Sequence, residues 1–328
     1  MSAKDEIMEK KIPIDFWGIG AHKSGTTWLY RQLKLVPGFD MLPIKELHYF
    51  DRNPKYLSLN TLSEPNFFRR LGDFKWMKKA IIYIPSAVKK GRWNDFLFFI
   101  KWYFSYYNDD WYLSLFKFFN SVTGEITPEY SMLNKEEIKT MYKLSPNAKL
   151  ILLLRNPIDR AWSQYRFEKR KIKNFSVDTS SDEEIIEFME SEFQSLRSDY
   201  IRTINNFSSI FPKDQILIGF YDAIIDDPER LLIEITNFIG VKSENSIKEL
   251  PLKAVANKSV ELECPSKVNN YLKARYHDQI KELADQYGGY FNKWYQETYN
   301  SNSTNSNTLL FPTIMIDNAK RSDSFRIP

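Results

Sequence analysis

Apolar runs alternating with amphipathic stretches set the outline of the chain. Residues 14–19 form an apolar run that reads as a buried strand. The run passes into a short loop of small and hydroxyl residues, and from 27 to 35 the apolar positions take helical spacing. A second run, 147–154, is dominated by Leu and Ile, the pattern of a strand buried on both faces of a parallel sheet. A third strand is predicted over 215–221. After it, Asp227-Pro228-Glu229 opens a helix that runs to Phe238, with Gly240 as its stop. Residues 182–207 read as one charged amphipathic helix with an acidic start that suits the helix dipole. Over 265–287, Leu272, Tyr276, Ile280, Leu283 and Tyr287 make a helical stripe. Residues 39–42 predict a short strand, 300–307 a Ser/Asn-rich linker, and 309–316 an added strand or docking segment.

The pattern is hardest to read between 52 and 123. Residues 53–59 read as loop, and 64–71 and 93–107 as helices, with Pro85 and Gly91 as punctuation between them. The aromatic positions from Trp93 to Tyr107 are too dense for one narrow stripe. Core packing accounts for part of them; a wall over a ligand pocket or an interface between two copies would account for the rest. The whole reads as α/β: one domain over 1–299 with a central parallel β-sheet flanked by helices and an aromatic-rich helical insert at 52–123, then a C-terminal extension at 300–328.

The first strand, loop and helix carry the clearest chemistry. A helix N-terminus preceded by small residues presents backbone N–H groups and a favourable dipole to an anion. Gly25 allows close backbone approach, Ser24, Thr26 and Thr27 offer hydroxyl donors, and Lys23 brings a point charge. Gly20 and Gly25 have the spacing of a nucleotide-binding P-loop, but Thr26 stands where that motif has lysine. The later strand ends in Arg155 where a magnesium-dependent phosphoryl transferase wants an acid. The site is therefore built to hold anions with protein cations.

Ala21-His22-Lys23-Ser24-Gly25-Thr26-Thr27-Trp28 closely resembles the 5′-phosphosulfate loop of sulfotransferases that use 3′-phosphoadenosine 5′-phosphosulfate (PAPS). The segment at 150–165, with Arg155, Pro157, Asp159, Arg160 and Ser163, resembles their 3′-phosphate motif, in the same order along the chain. The resemblance implies a P-loop-kinase-like fold, PAPS as donor and 3′-phosphoadenosine 5′-phosphate (PAP) as product, with no metal. It places Lys23, Ser24, Gly25, Thr26, Thr27, Arg155 and Ser163 on the cofactor, with Lys258 as a further contact. Trp28 either flanks the adenine or packs in the core. Lys45-Glu46-Leu47-His48-Tyr49-Phe50-Asp51 resembles a segment of the glycosaminoglycan-type branch whose glutamate is the catalytic base. Glu46 inherits that role, with His48 as the runner-up, and Lys45 would help neutralise the sulfuryl oxygens. Gly124-Glu125-Ile126-Thr127-Pro128-Glu129-Tyr130 is similar to a segment on the family's active-site floor, which makes Glu125 and Thr127 acceptor-facing or supporting residues.

Composition narrows the remainder. With 43% apolar residues the 328-residue chain can bury a sizeable core, and a net charge of +4 without a basic stripe argues against a general nucleic-acid binder. One cysteine, Cys264, excludes an internal disulfide framework, and three scattered histidines give no metal-ligand spacing. The charged start lacks the apolar core of a signal peptide, and the most apolar window, 96–119, is too polar to span a bilayer. The expectation is a cytoplasmic enzyme whose acceptor is a small molecule or a carbohydrate; natural-product tailoring and sugar sulfation both fit. A magnesium-dependent nucleotide kinase and a non-catalytic sulfotransferase-like binder are the rival readings.

Overall fold

The computed structural model describes residues 14–56, 58, 62, 64, 66–170, 180–252, 262–300 and 310–316. A five-stranded sheet in the order β2-β1-β3-β4-β5 forms its centre. The strands are β1 (Phe16–Gly20), β2 (Gly124–Ile126), β3 (Lys149–Leu154), β4 (Ile216–Phe220) and β5 (Thr313–Met315). The first four are parallel and β5 is antiparallel to β4, so the added strand predicted near the C-terminal end is present over its last part. β1 and β4 are buried along their whole length, and β3 at every residue after its first. That is why they read as continuous apolar runs instead of alternating ones.

Helices cover both faces. Between β1 and β2 lie α1 (Thr26–Leu33), α2 (Phe67–Gly72), α3 (Phe74–Lys89), α4 (Trp93–Tyr103) and α5 (Asp109–Phe116). A 3-10 turn, Pro128–Met132, and α6 (Lys135–Leu144) lead into β3. After β3 come α7 (Pro157–Lys169), α8 (Asp182–Glu190), α9 (Glu192–Ser198) and α10 (Tyr200–Ser208). The chain continues past β4 through α11 (Tyr221–Asp226), α12 (Pro228–Ile239), α13 (Glu244–Lys248), α14 (Ser266–Tyr287) and α15 (Gly289–Tyr299). Among the described residues, no helix is long and apolar enough to cross a membrane.

Three local expectations change. Residues 39–42 form no strand; Phe39 makes an isolated parallel bridge to Val122. The single helix expected over 182–207 is three, because capping residues lie inside the amphipathic pattern: Ser191 accepts from the Gln194 N–H at 3.4 Å and Asp199 from the Arg202 N–H at 2.9 Å. Pro85 does not break the insert where punctuation was expected but sits within α3. Trp76, Ala80 and Ala87 bury one face of that helix against α4, and the packing outweighs the missing hydrogen bond. The linker expected at 300–307 falls almost entirely outside the described residues.

Candidate active site

β1 delivers the chain into the anion loop at the carboxyl end of the parallel strands, where open α/β sheets place ligands. The turn is tight: the Ala21 N–H donates to the Leu153 carbonyl at 2.5 Å and the Ser24 N–H to the Ala21 carbonyl at 3.3 Å. Gly25 caps α1 in the left-handed region (φ 91°, ψ 8°), and a Cβ there would overlap Cδ1 of Ile224. Glycine is thus required by both conformation and space. Lys23 is also left-handed, at φ 68°.

Cations gather around this loop. Lys23 Nζ lies 4.1 Å from the Phe167 ring centroid and the Arg155 guanidinium 4.4 Å from that of Tyr221. Burial, together with the charges of Arg155, Arg170 and Arg166, lowers the Lys23 pKa to about 8. Among the described residues, buried Ser24 Oγ and Arg155 Nε beside this loop have no hydrogen-bond partner. Orphaned donors beside mutually repelling cations fit a bound polyanion, which would supply acceptors and relieve the repulsion. Ser163 is half-buried on α7, the helix that also carries Arg166 and Phe167. Thr26 is buried and Thr27 half-buried on the first turn of α1. Trp28 takes the core alternative: it is buried, and its indole N–H donates to the Leu252 carbonyl at 3.1 Å. Lys258 lies outside the described residues.

The opposite wall is the loop that follows α1. Glu46 (φ 66°) and His48 (φ 57°) both occupy the left-handed region, a conformation that persists only when the surroundings impose it. Here those surroundings are β2 and the turn after it. The Leu47 N–H donates to Glu125 Oε2 at 3.2 Å and the Tyr49 N–H to the Tyr130 hydroxyl oxygen at 3.1 Å. Glu125 also accepts from the hydroxyls of Tyr112 (2.5 Å), Tyr130 (2.7 Å) and Thr127 (3.0 Å). Burial pushes the Glu125 pKa up, and these donors offset only part of the rise, so the net shift is upward. Glu125 and Thr127 are therefore enclosed beneath the loop, their polar atoms occupied internally, with no face toward an acceptor. Their placement favours the supporting alternative.

Above this anchor, the Glu46 carboxylate pairs with Lys45 through one oxygen, and its other oxygen lies 3.9 Å from His48 Nε2. His48 Nδ1 is 2.7 Å from Oδ2 of the fully buried Asp51. Burial draws the His48 pKa down, but the Asp51 hydrogen bond and the charges of Asp51, Glu129 and Glu125 outweigh it, so the net shift is upward. Burial lowers Lys45 to about 8 despite the attraction of Glu129.

Between the two walls lies a polar cluster that sequence reasoning missed. Glu129, at the start of the 3-10 turn, accepts from Arg197 Nη2 at 3.1 Å, with His22 Nε2 3.6 Å away. His22 Nδ1 is 2.5 Å from Gln164 Oε1. Burial, then the charges of Arg197, Lys23 and Arg160, hold the His22 pKa well below its usual value, so the ring is neutral and its Nδ1–H is the donor to Gln164. Arg160, fully buried, donates to Ser198 Oγ at 2.9 Å and Gln194 Oε1 at 2.8 Å. Arg166 and Arg170 follow Ser163 at i+3 and i+7, a helical-face signal that was readable. Arg197, on α9, has no such local signal. Among the described residues, ligand atoms of Glu46, His48 and Glu129 lie within 4.8 Å of one another. Lys45 on Glu46 and Arg197 on Glu129 already provide the positive charge that a metal would bring there.

Residues 13–303 match the family described as sulfotransferase domain. Among curated proteins, the membrane-associated sulfotransferase kil1 of Dictyostelium discoideum is 40% identical over 80 residues, 22% of this chain and 17% of that protein. Heparan sulfate glucosamine 3-O-sulfotransferase 6 of Mus musculus is 25% identical over 192 residues, 54% of this chain and 55% of that protein. The matched region thus spans about half the length of the mouse relative and much less of kil1. A sulfotransferase from Alicyclobacillus acidocaldarius superposes with a TM-score of 0.54 at 22% identity, covering 83% of this chain and 94% of that one. At that identity the likeness is one of fold.

Proposed function

The chain belongs to the sulfotransferase family, and on that premise we propose that it transfers the sulfuryl group of PAPS to a hydroxyl or amine of a small-molecule or carbohydrate acceptor. The observation that carries the reading is the cation cluster of Arg155, Arg166 and Arg170 acting on Lys23, beside a Ser24 Oγ that has no partner among the described residues, just before the N-terminus of α1. That arrangement suits a donor with phosphate at both ends, its 5′ side on the loop and its 3′-phosphate toward Arg155 and Ser163. When bound, PAPS supplies the activated sulfuryl group.

The residues divide the rest of the work. Glu46 accepts the proton of the attacking group while a new bond to sulfur forms and the bond from sulfur to the 5′-phosphate oxygen breaks. Lys23 and the loop amides stabilise the charge that gathers on the departing oxygen. The acids around His48 support Glu46 over His48 as base: Asp51, Glu129 and Glu125 shift its pKa upward and so favour the protonated ring, which has no lone pair for a proton, while Glu46 Oε2 lies 3.9 Å from Nε2. Asp51 holds the ring in place, and Lys45, paired with Glu46, would help neutralise the sulfuryl oxygens. A carbohydrate hydroxyl is the favoured acceptor, in line with the mouse relative's name.

Calorimetric titration with PAP, with and without EDTA, beside ATP and AMP, tests the reading. Tight metal-independent binding that collapses without the 3′-phosphate is expected, followed by turnover of PAPS in an acceptor screen. Magnesium-dependent preference for ATP would overturn it.

A further inference from the structure

The hairpin of α3 and α4 exposes more apolar surface than its own packing uses. α4 buries Phe98, Phe99, Trp102 and Tyr103 on one face, yet Trp93, Leu97, Ile100 and Phe104 form a second apolar stripe that faces solvent. That stripe keeps i, i+4, i+7, i+11 spacing, so it occupies one line along the helix. A helix apolar on both sides belongs between two partners, and the described residues supply only one. On α3, Phe74, Ile81, Ile82 and Val88 are likewise exposed, Phe74 at 79% and Ile81 at 70%. A surface of this extent marks an interaction site in a soluble protein.

Charge says what the partner is. Residues 66–104 hold nine Lys and Arg against two Asp, in a chain whose total is only +4, so the remainder is net acidic. Lys75, Lys78, Lys79, Lys89, Lys90 and Arg92 are exposed among the apolar positions. Lys89, Lys90 and Arg92 lie at the turn of the hairpin directly beside Trp93, the aromatic-plus-cation grouping of a membrane–water interface. A second copy docking symmetrically would set this excess of positive charge against itself. A nucleic acid would leave the apolar stripe unpaired.

We propose that the α3–α4 hairpin docks the protein on an anionic lipid surface, lying in the interface without crossing it. Neither helix has the length to span a bilayer, whereas an amphipathic hairpin with cations around its apolar face lies in the headgroup layer. α4 packs on α5 through Trp102 and Trp111 (centroids 5.6 Å apart), and Trp111 packs on Tyr49 of the Glu46–His48 loop (6.0 Å). The docking face is thus joined to the site through a continuous aromatic core.

The test is co-flotation of the full chain with phosphatidylcholine vesicles, with and without phosphatidylglycerol, at low and high salt. Binding to the anionic vesicles, weakened by salt and much weaker on neutral ones, is the expected result. Seven of the eight tryptophans are buried and Trp93 is 60% exposed, so vesicles should blue-shift the emission and Trp93→Phe should remove the shift. Lys78→Ser, Lys89→Ser and Lys90→Ser together should weaken binding roughly a hundredfold. Trp93→Ser with Leu97→Ser should weaken it at least tenfold. All five positions are exposed, and an unchanged melting curve and PAP affinity verify the fold of each variant. No co-flotation with anionic vesicles overturns the proposal. So does binding indifferent to both charge and salt. Self-association without lipid that Trp93→Ser and Leu97→Ser abolish would assign the face to a second copy instead.

Discussion

Glu125 offers the sharpest test of how the site is held. Its carboxylate takes four hydrogen bonds, from Leu47 N–H and the hydroxyls of Thr127, Tyr112 and Tyr130, all inside the protein. Glu125→Ala strands all four donors away from water, and at about 1 kcal/mol each the loss is about 4 kcal/mol. Glu125→Gln behaves differently. Its single oxygen must serve the Leu47 N–H, which can only donate, so its amide turns toward the two tyrosines. Tyr112 already accepts from Trp17 Nε1 at 2.9 Å and Tyr130 from the Tyr49 N–H at 3.1 Å. Their hydroxyl protons would be displaced, a loss of about 2 kcal/mol. Urea unfolding at constant m-value reads both figures. Because Leu47 lies between two left-handed residues, Glu46 and His48, loosening it should lower kcat while PAP affinity, set by the Lys23–Arg155 side, stays unchanged. Wild-type stability in both variants with a raised KM for the acceptor alone would refute this reasoning and return Glu125 to the acceptor surface.

Further outcomes separate the two walls of the site. Glu46→Gln should lower turnover by about 10²–10⁴-fold with PAP affinity intact, and near-normal turnover would remove Glu46 as base. Lys23→Ala should lower turnover by about 10²–10³-fold. With its pKa at about 8, Lys23 loses its charge as pH rises through that value, so PAP affinity should fall between pH 7 and 9, and the variant should lose that part of the slope. Gly25→Ala meets both the Ile224 side chain and a left-handed backbone; PAP affinity should drop at least tenfold, and the added substitution Ile224→Ala should recover only part, because the backbone conformation is still disfavoured. Asp51→Asn removes the charge that raises His48, so the His48 titration followed by NMR should move to lower pH; an unmoved titration would mean that Asp51 does not set it.

Local pattern was enough wherever neighbours in sequence are also neighbours in space. β1, its loop and α1 are consecutive, so the strand, tight turn and helix start that carry Lys23, Ser24 and Gly25 could be read from residue type and order alone. The buried strands β3 and β4 were legible for the same reason, as was α12 with its stop at Gly240, since continuous apolar runs and capping residues are local signals. Ser191 and Asp199 defeat that reading, because the same residue types sit on the polar face of a long helix or at the start of a short one, and only the packing of α8, α9 and α10 chooses. Pro85 fails for a related reason, its local cost being overridden by the face that α3 shares with α4.

What the chain order could not hold is the pairing of buried charge. Glu129 meets Arg197 across 68 residues and His22 meets Gln164 across 142, and nothing within a helical turn of either announces the partner. Motif resemblance named Glu46 and His48, but which of them holds a proton depends on Asp51, Glu129 and Glu125 being folded around them in a space with little water. The sequence by itself determined β1, β3 and β4, the loop and helix that follow β1, and the residue types able to bind an anion and take a proton. Tertiary structure alone decided which charges are buried together and how far their pKa values move, because desolvation and Coulomb forces act through space and take no account of position along the chain.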